Sequence, residues 1–157
     1  MARIFTLAEA NALIPRVTES FARTTQLIAS ARQIAQRLAS AGVRPPAPGK
    51  LPDPSTVAHD PALAADLALA TTLAEAVMDE TRRLEGMGIE VRDIERGLID
   101  FRSILDGQRE VYLCWQLGER EIRCWHDLDA GFVGREPVEG HHFFRSRQLS
   151  PPRPEKS

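Results

Sequence analysis

Ile89-Glu90-Val91-Arg92, Leu98-Ile99-Asp100-Phe101 and Glu110-Val111-Tyr112-Leu113-Cys114-Trp115 alternate apolar and polar residues, the period-two pattern of strands with one buried face. Asp106-Gly107 supplies the turn between the last two, and Gly118-Glu119 leads into a further stretch, Glu121-Ile122-Arg123-Cys124-Trp125-His126. The region over 89–135 therefore reads as a small antiparallel meander that carries both tryptophans.

What precedes Gly88 has a different period. Leu7, Ile14, Phe21, Ile28 and Ala35 keep one seven-residue register, and Ala10, Val17, Thr24, Ala31 and Leu38 keep the other, which predicts an amphipathic helix over about 7–41. Leu13, Leu27 and Ile34 widen its stripe beyond a two-stranded coiled-coil seam. Thr6-Leu7-Ala8-Glu9 is a capping box with Phe5 as a hydrophobic staple before it. Pro15 should kink this helix rather than end it, because the repeat runs through it. Five prolines within 42–60 predict a stiff, extended, exposed connection. Asp60-Pro61 then starts a second helix over 61–87, with the stripe Leu63, Leu67, Ala70, Ala74, Val77, Thr81 and Leu84. The fold class is α+β: a long antiparallel helical hairpin followed by a small antiparallel β-sheet, as one domain over 1–140 with a flexible tail at 141–157. Two helices alone cannot bury both stripes, so the C-terminal third or a second chain must cover them. A homodimer through the helices is the expectation.

The chain has 157 residues, 43% hydrophobic and 27% charged, with a net charge of −2. At this length about 70% of the unfolded surface is buried on folding, so no disulfide or metal is needed as a staple. With 20 Lys and Arg against 22 Asp and Glu there is no basic field for nucleic acid. No run approaches the ~18 consecutive apolar residues of a membrane span, and no signal-peptide pattern is present. The expectation is a cytoplasmic protein with neither nucleic acid nor membrane as partner. Cys114 and Cys124 do not form a C-x-x-C, which argues against zinc-ribbon and thioredoxin-like chemistry.

Three stretches carry a family resemblance: Phe5-Thr6-Leu7-Ala8-Glu9-Ala10-Asn11, the segment from Glu90 to Phe101, and Trp125-His126-Asp127-Leu128-Asp129-Ala130-Gly131-Phe132. With Tyr112-Leu113-Cys114-Trp115-Gln116-Leu117-Gly118-Glu119 and Gly134-Arg135, they resemble the bacterial domain of unknown function 2203. The resemblance implies a cytoplasmic bacterial protein and supplies no activity, so the chemistry rests on the residues.

Those residues offer hard ligands. Asp93, Glu95 and Asp100, with His126, Asp127 and Asp129 after the last strand, form an oxygen and imidazole set that could hold zinc, manganese or iron. The competing reading makes Asp127 and Asp129 turn residues and pairs Asp93, Glu95 and Asp100 with Arg92, Arg96 and Arg102 on a wet sheet face. His126 held by Asp129 or Asp93 would make a general base. As nucleophiles, Cys114, Cys124 and Ser103 carry little weight, since cysteines within apolar alternation behave as small buried hydrophobes. A Cys114–Cys124 disulfide would need a short loop setting them opposite one another, and a reducing compartment argues against it. Trp115 and Trp125, with Tyr112, could form a ligand platform, with Glu119 and Arg135 as polar partners; packing against the helices is the commoner use of such aromatics. His141-His142 followed by Phe143-Phe144 is weak as a metal or docking signal. No Gly-rich phosphate loop or G-x-S-x-G occurs. Two functions follow: a non-enzymatic dimeric binding or scaffold module with its ligand or partner site in the acidic β region, and a small divalent-metal-dependent hydrolase using the His126 and Asp129 loop.

Overall fold

Both helices begin as their local chemistry dictates. In the computed structural model, which describes residues 2–147, helix α1 spans Leu7–Ser40 without a break at Pro15. The Thr6 hydroxyl accepts from the Glu9 N–H at 3.1 Å and the Glu9 carboxylate accepts from the Thr6 N–H at 3.0 Å, closing the capping box from both sides. Helix α2 spans Pro61–Gly86. Asp60 Oδ1 accepts from the N–H groups of Ala62 and Leu63 at 2.9 and 3.3 Å, while Pro61 occupies the position whose N–H would lack a partner. Beyond the far end of α2 the Ile89 N–H reaches the Leu84 carbonyl and the Gly88 N–H reaches that of Glu85, a Schellman closure that needs the left-handed conformation of Gly88, φ +91°.

The chain divides into two compact units, one made from the part up to Phe21 together with the part from Arg83 onward, the other from Ala22–Arg82. Helix α1 contributes to both units. In Ala22–Arg82 the helices run antiparallel, since Arg37 grips Asp66 at 2.8 and 3.2 Å and Arg23 grips Glu80 at 2.9 and 3.2 Å. Their core is Ile34, Leu38, Leu67 and Ala70 with Val43 and Val57. The last two come from the Pro-rich connection, which is therefore not wholly exposed: apolar side chains near its two ends fold back onto the helices. A short 3-10 turn, Pro54–Thr56, capped by Asp53, shapes it. By length and composition α2 is apolar enough to cross a bilayer, with mean hydropathy 1.3 over its most apolar window and 11% of that window buried.

The other unit holds the sheet. Strands β1 (Glu90–Asp93), β2 (Leu98–Leu105), β3 (Arg109–Gln116), β4 (Cys124–Asp127) and β5 (Glu136–Pro137) lie in that order, every pair antiparallel. Strand β6 (Phe143–Phe144) pairs with the end of β2 that β1 leaves open. Asp106 fastens this last strand by accepting from the His142 N–H and contacting His141 Nδ1, both at 2.9 Å. Residues 141–147, expected in a flexible tail, are thus placed on the sheet, with Phe143 buried; the remainder of that expected tail, 148–157, lies outside the described residues.

One face of the sheet is apolar. Ile99, Phe101 and Leu105 of β2, Val111, Leu113 and Trp115 of β3, and Trp125 of β4 share a core with Phe5, Ile14, Val17, Phe21 and Leu84. Phe21 stacks on Trp115 at 6.3 Å between ring centroids. Within this unit the chain's own sheet covers the stripe of α1. Phe21→Ala should therefore cost about 3–5 kcal/mol in urea unfolding followed by tryptophan fluorescence, whereas Leu51→Ala, exposed in the connection over 42–60, should cost about 0.5 kcal/mol or less. Equal losses would overturn this assignment of the core.

Candidate functional site

The opposite face of the sheet is polar, and strand register decides which side chains meet there. Asp106 and Gly107 turn the β2–β3 hairpin so that Asp100 stands opposite Cys114 and Arg102 opposite Tyr112. On the outer sides, β1 sets Glu90 opposite Asp100 and β4 sets His126 opposite Tyr112. Alternation then puts Glu90, Arg92, Asp100, Arg102, Tyr112, Cys114 and His126 on one face.

At its centre Asp100, Cys114 and His126 are 3%, 1% and 3% exposed, and one ligand atom from each lies within 4.8 Å of the others. A buried carboxylate must be paired. Arg92 Nε donates to Asp100 Oδ2 at 2.8 Å, and His126 Nε2 lies 3.0 Å from Asp100 Oδ1. A second layer surrounds them: Arg102 Nη2 donates to the Tyr112 hydroxyl at 3.0 Å, which donates to Glu90 at 3.1 Å.

The imidazole geometry is informative. His126 Nδ1 lies 2.8 Å from the Asp127 carbonyl oxygen, which can only accept, so Nδ1 carries its proton. In the neutral ring Nε2 is then a bare lone pair facing a carboxylate oxygen, two acceptors at hydrogen-bond distance. The contact becomes favourable with a proton shared between the ring nitrogen and the carboxyl oxygen, or with a metal cation between them. A ligand histidine whose other nitrogen donates to a backbone carbonyl is the usual second-sphere arrangement of metal sites.

Cys114 adds the third donor. Burial, reinforced by the neighbouring Asp100 charge, pushes its thiol up to about 12, with the Arg135 charge acting in the opposite direction. Without a cation it is a neutral thiol at physiological pH, which disfavours a nucleophilic role. The cluster faces a recess of about 260 Å³ lined by Arg92, Leu98, Leu128, Gly131 and Phe132 besides the three donors.

Of the six residues expected as metal ligands, the structure brings together His126 and Asp100. Asp93 instead accepts from the N–H groups of Glu95 and Arg96 at 3.1 and 3.0 Å, an Asx turn that aims its carboxylate at the backbone. Asp127 pairs with Arg109 at 3.1 Å, and Glu95 and Asp129 are exposed. The carboxylate beside His126 is thus Asp100 rather than Asp129 or Asp93. Cys114 is buried, as expected of a cysteine among apolar neighbours, and alternation inside a hairpin that pairs it with Asp100 puts it on the polar face, where sequence reading had no ligand in view. It also stands opposite Cys124 despite the longer connection over 117–123, and both are free thiols.

The expected ligand platform is mostly packing. Trp115 and Trp125 are in the core. The Trp115 indole donates to the Glu119 carbonyl at 3.0 Å, and the Glu119 carboxylate accepts from the Gln116 N–H at 2.7 Å, so Glu119 shapes a turn. Arg135 alone of that set packs on a residue that lines the recess, with its guanidinium carbon 3.7 Å from the ring centroid of Phe132.

Fold and site together define a small α+β protein with a buried Asp–Cys–His cluster on the polar face of an antiparallel sheet. The chain belongs to the family described as Uncharacterized conserved protein (DUF2203), which matches residues 3–138. No curated protein and no solved structure matches it.

The raised thiol has a pH signature. The unfolded Cys114 loses its proton near its ordinary value of 9.0 while the folded one keeps it to about 12, so the folded state binds more protons in between and stability falls as pH rises through that window. Cys114→Ala should flatten the alkaline slope in unfolding measured at pH 8 to 11; an unchanged slope would refute the assignment.

Proposed function

We propose that the protein is a binding module whose site is the Asp100, Cys114 and His126 cluster, and that the cluster holds a divalent transition metal, zinc foremost. The observation that carries this reading is the His126 geometry: Nδ1 is committed to the Asp127 carbonyl, and Nε2 and Asp100 Oδ1 turn lone pairs toward each other at 3.0 Å beside a buried sulfur. Sulfur, imidazole and carboxylate together suit zinc, and the thiol favours it over manganese. Arg92, on the remaining Asp100 oxygen, fixes the orientation of that ligand as an outer-shell partner does.

Tag-free protein, dialysed against zinc and then against metal-free buffer, should retain about one equivalent by elemental analysis. His126→Ala and Cys114→Ser should lose it, and Asp129→Ala should keep it, with circular dichroism confirming that each variant is folded. A folded wild-type protein that retains no zinc, manganese or iron would overturn the reading and leave His126 and Asp100 as an imidazolium–carboxylate pair.

A metal-dependent hydrolase is the second reading, favoured by one observation: three residues supply donors and the cluster faces a recess. Three protein ligands with an open fourth position are the arrangement in which zinc activates water. Turnover of ester or phosphoester substrates by the zinc-loaded protein, lost in His126→Ala, would select it over the binding module.

The homodimer belongs to the same proposal. What supports it is α2, where Leu69 and Met78 are 49% and 53% exposed on a helix of high mean hydropathy that is little buried. Sedimentation at micromolar concentration should give a dimer that Leu69→Glu dissociates; a wild-type monomer under those conditions would remove the dimer from the proposal.

A further inference from the structure

The loop between β4 and β5 combines features that packing alone does not require. Leu128 is 44% exposed and Val133 is 99% exposed, and Leu128 and Phe132 form the apolar wall of the recess with Leu98 of β2. The loop turns tightly at Gly134, where a Cβ would come within 2.8 Å of that of Ala130.

Arg135 stacks its guanidinium on Phe132, and, among the described residues, its side chain makes no hydrogen bond or ion pair; its backbone N–H donates to the Phe132 carbonyl at 3.3 Å. The other arginines of the polar face are committed. Arg92 donates to Asp100 and Glu90, and Arg102 donates to Tyr112 and Glu110. Arg135 is half-buried and close enough for its charge to be felt at Cys114. A guanidinium held on an aromatic face with its donors unused is preorganised for a planar oxyanion.

We infer that the recess binds a small monocarboxylic acid, with the carboxylate on Arg135 and a short apolar chain on Leu98, Leu128 and Phe132. Charge and size narrow the ligand class. One uncommitted guanidinium balances one negative charge, and a phosphate dianion would add charge close to the Asp100 and Glu90 carboxylates. At about 260 Å³ the recess lies below the ~300–1,000 Å³ of pockets for drug-sized ligands. This inference deepens the ligand site proposed above, yet it needs Arg135 and the apolar wall, not the metal.

The test is calorimetric titration of the full chain, metal-free and zinc-dialysed, with hexanoate, hexanol and inorganic phosphate. Hexanoate should bind saturably and hexanol should not. Arg135→Gln should weaken hexanoate about tenfold or more, the cost of one charge-assisted pairing, and Arg135→Lys should recover part of the loss; circular dichroism shows that both variants fold. Phe132→Ala should weaken hexanoate more than it weakens acetate. No saturable hexanoate binding in either form, an unaffected Arg135→Gln, or phosphate binding in place of hexanoate would overturn the inference. The two proposals fail separately: zinc retained without hexanoate binding defeats only the ligand, and hexanoate bound without zinc retention defeats only the metal.

Discussion

A carboxylate cannot be taken out of water alone, and Asp100, 3% exposed in the middle of β2, is where this constraint acts on the structure. Removing an ionised carboxylate from water without partners costs several kcal/mol even after relaxation. Three strands supply its surroundings: Arg92 from β1, Cys114 from β3 and His126 from β4. The register of each strand pair is therefore tied to a polar requirement as well as to the apolar core. A slip by one residue in any pairing would send its partner to the other face.

The two faces of the sheet serve different ends through the same alternation. Ile99 and Phe101 flank Asp100 in sequence and are fully buried in the core with Phe5, Phe21 and Trp115. That packing makes the strands rigid, and rigid strands hold polar groups at fixed separations on the far side. Ser103 illustrates the economy of the inner face: its hydroxyl donates to the Phe5 carbonyl at 2.6 Å, so a polar group in the core also fastens the segment that leads into α1.

Much of the fold was legible from local chemistry. The capping box at Thr6 and Glu9, the Asp60-Pro61 start of α2 and the stop after Gly86 are each decided within a few residues, which is why they can be read from sequence. The site was legible only in part. Counting outward from Asp106-Gly107 as a two-residue turn would set Asp100 opposite Leu113; the loop takes in Gln108 as well, so that Leu105 pairs with Arg109 and Asp100 with Cys114, and this half of the cluster lay one residue beyond hairpin arithmetic. Asp93 misled because a strand and an Asx turn use the same residue type, and only backbone geometry separates them. Glu119, Trp115 and Trp125 stayed ambiguous in sequence, with packing the commoner reading for the tryptophans, because polar and aromatic side chains that complete turns and cores look the same there as those that bind ligands.

By itself, then, the sequence determined the elements: two amphipathic helices, the period-two strands after Gly88 and the position of the β2–β3 turn. Periodicity and capping act over a few residues, so they need no knowledge of distant contacts. Tertiary structure alone decided the site. His126 reaches Asp100 only because β4 returns alongside β3 after an irregular connection whose path no period predicts. Arg135 comes beside the recess only because the loop after β4 brings its guanidinium over Phe132, one of the lining residues. Both depend on long-range packing, in which the energy of a contact is set by burial and register together rather than by neighbours in the chain.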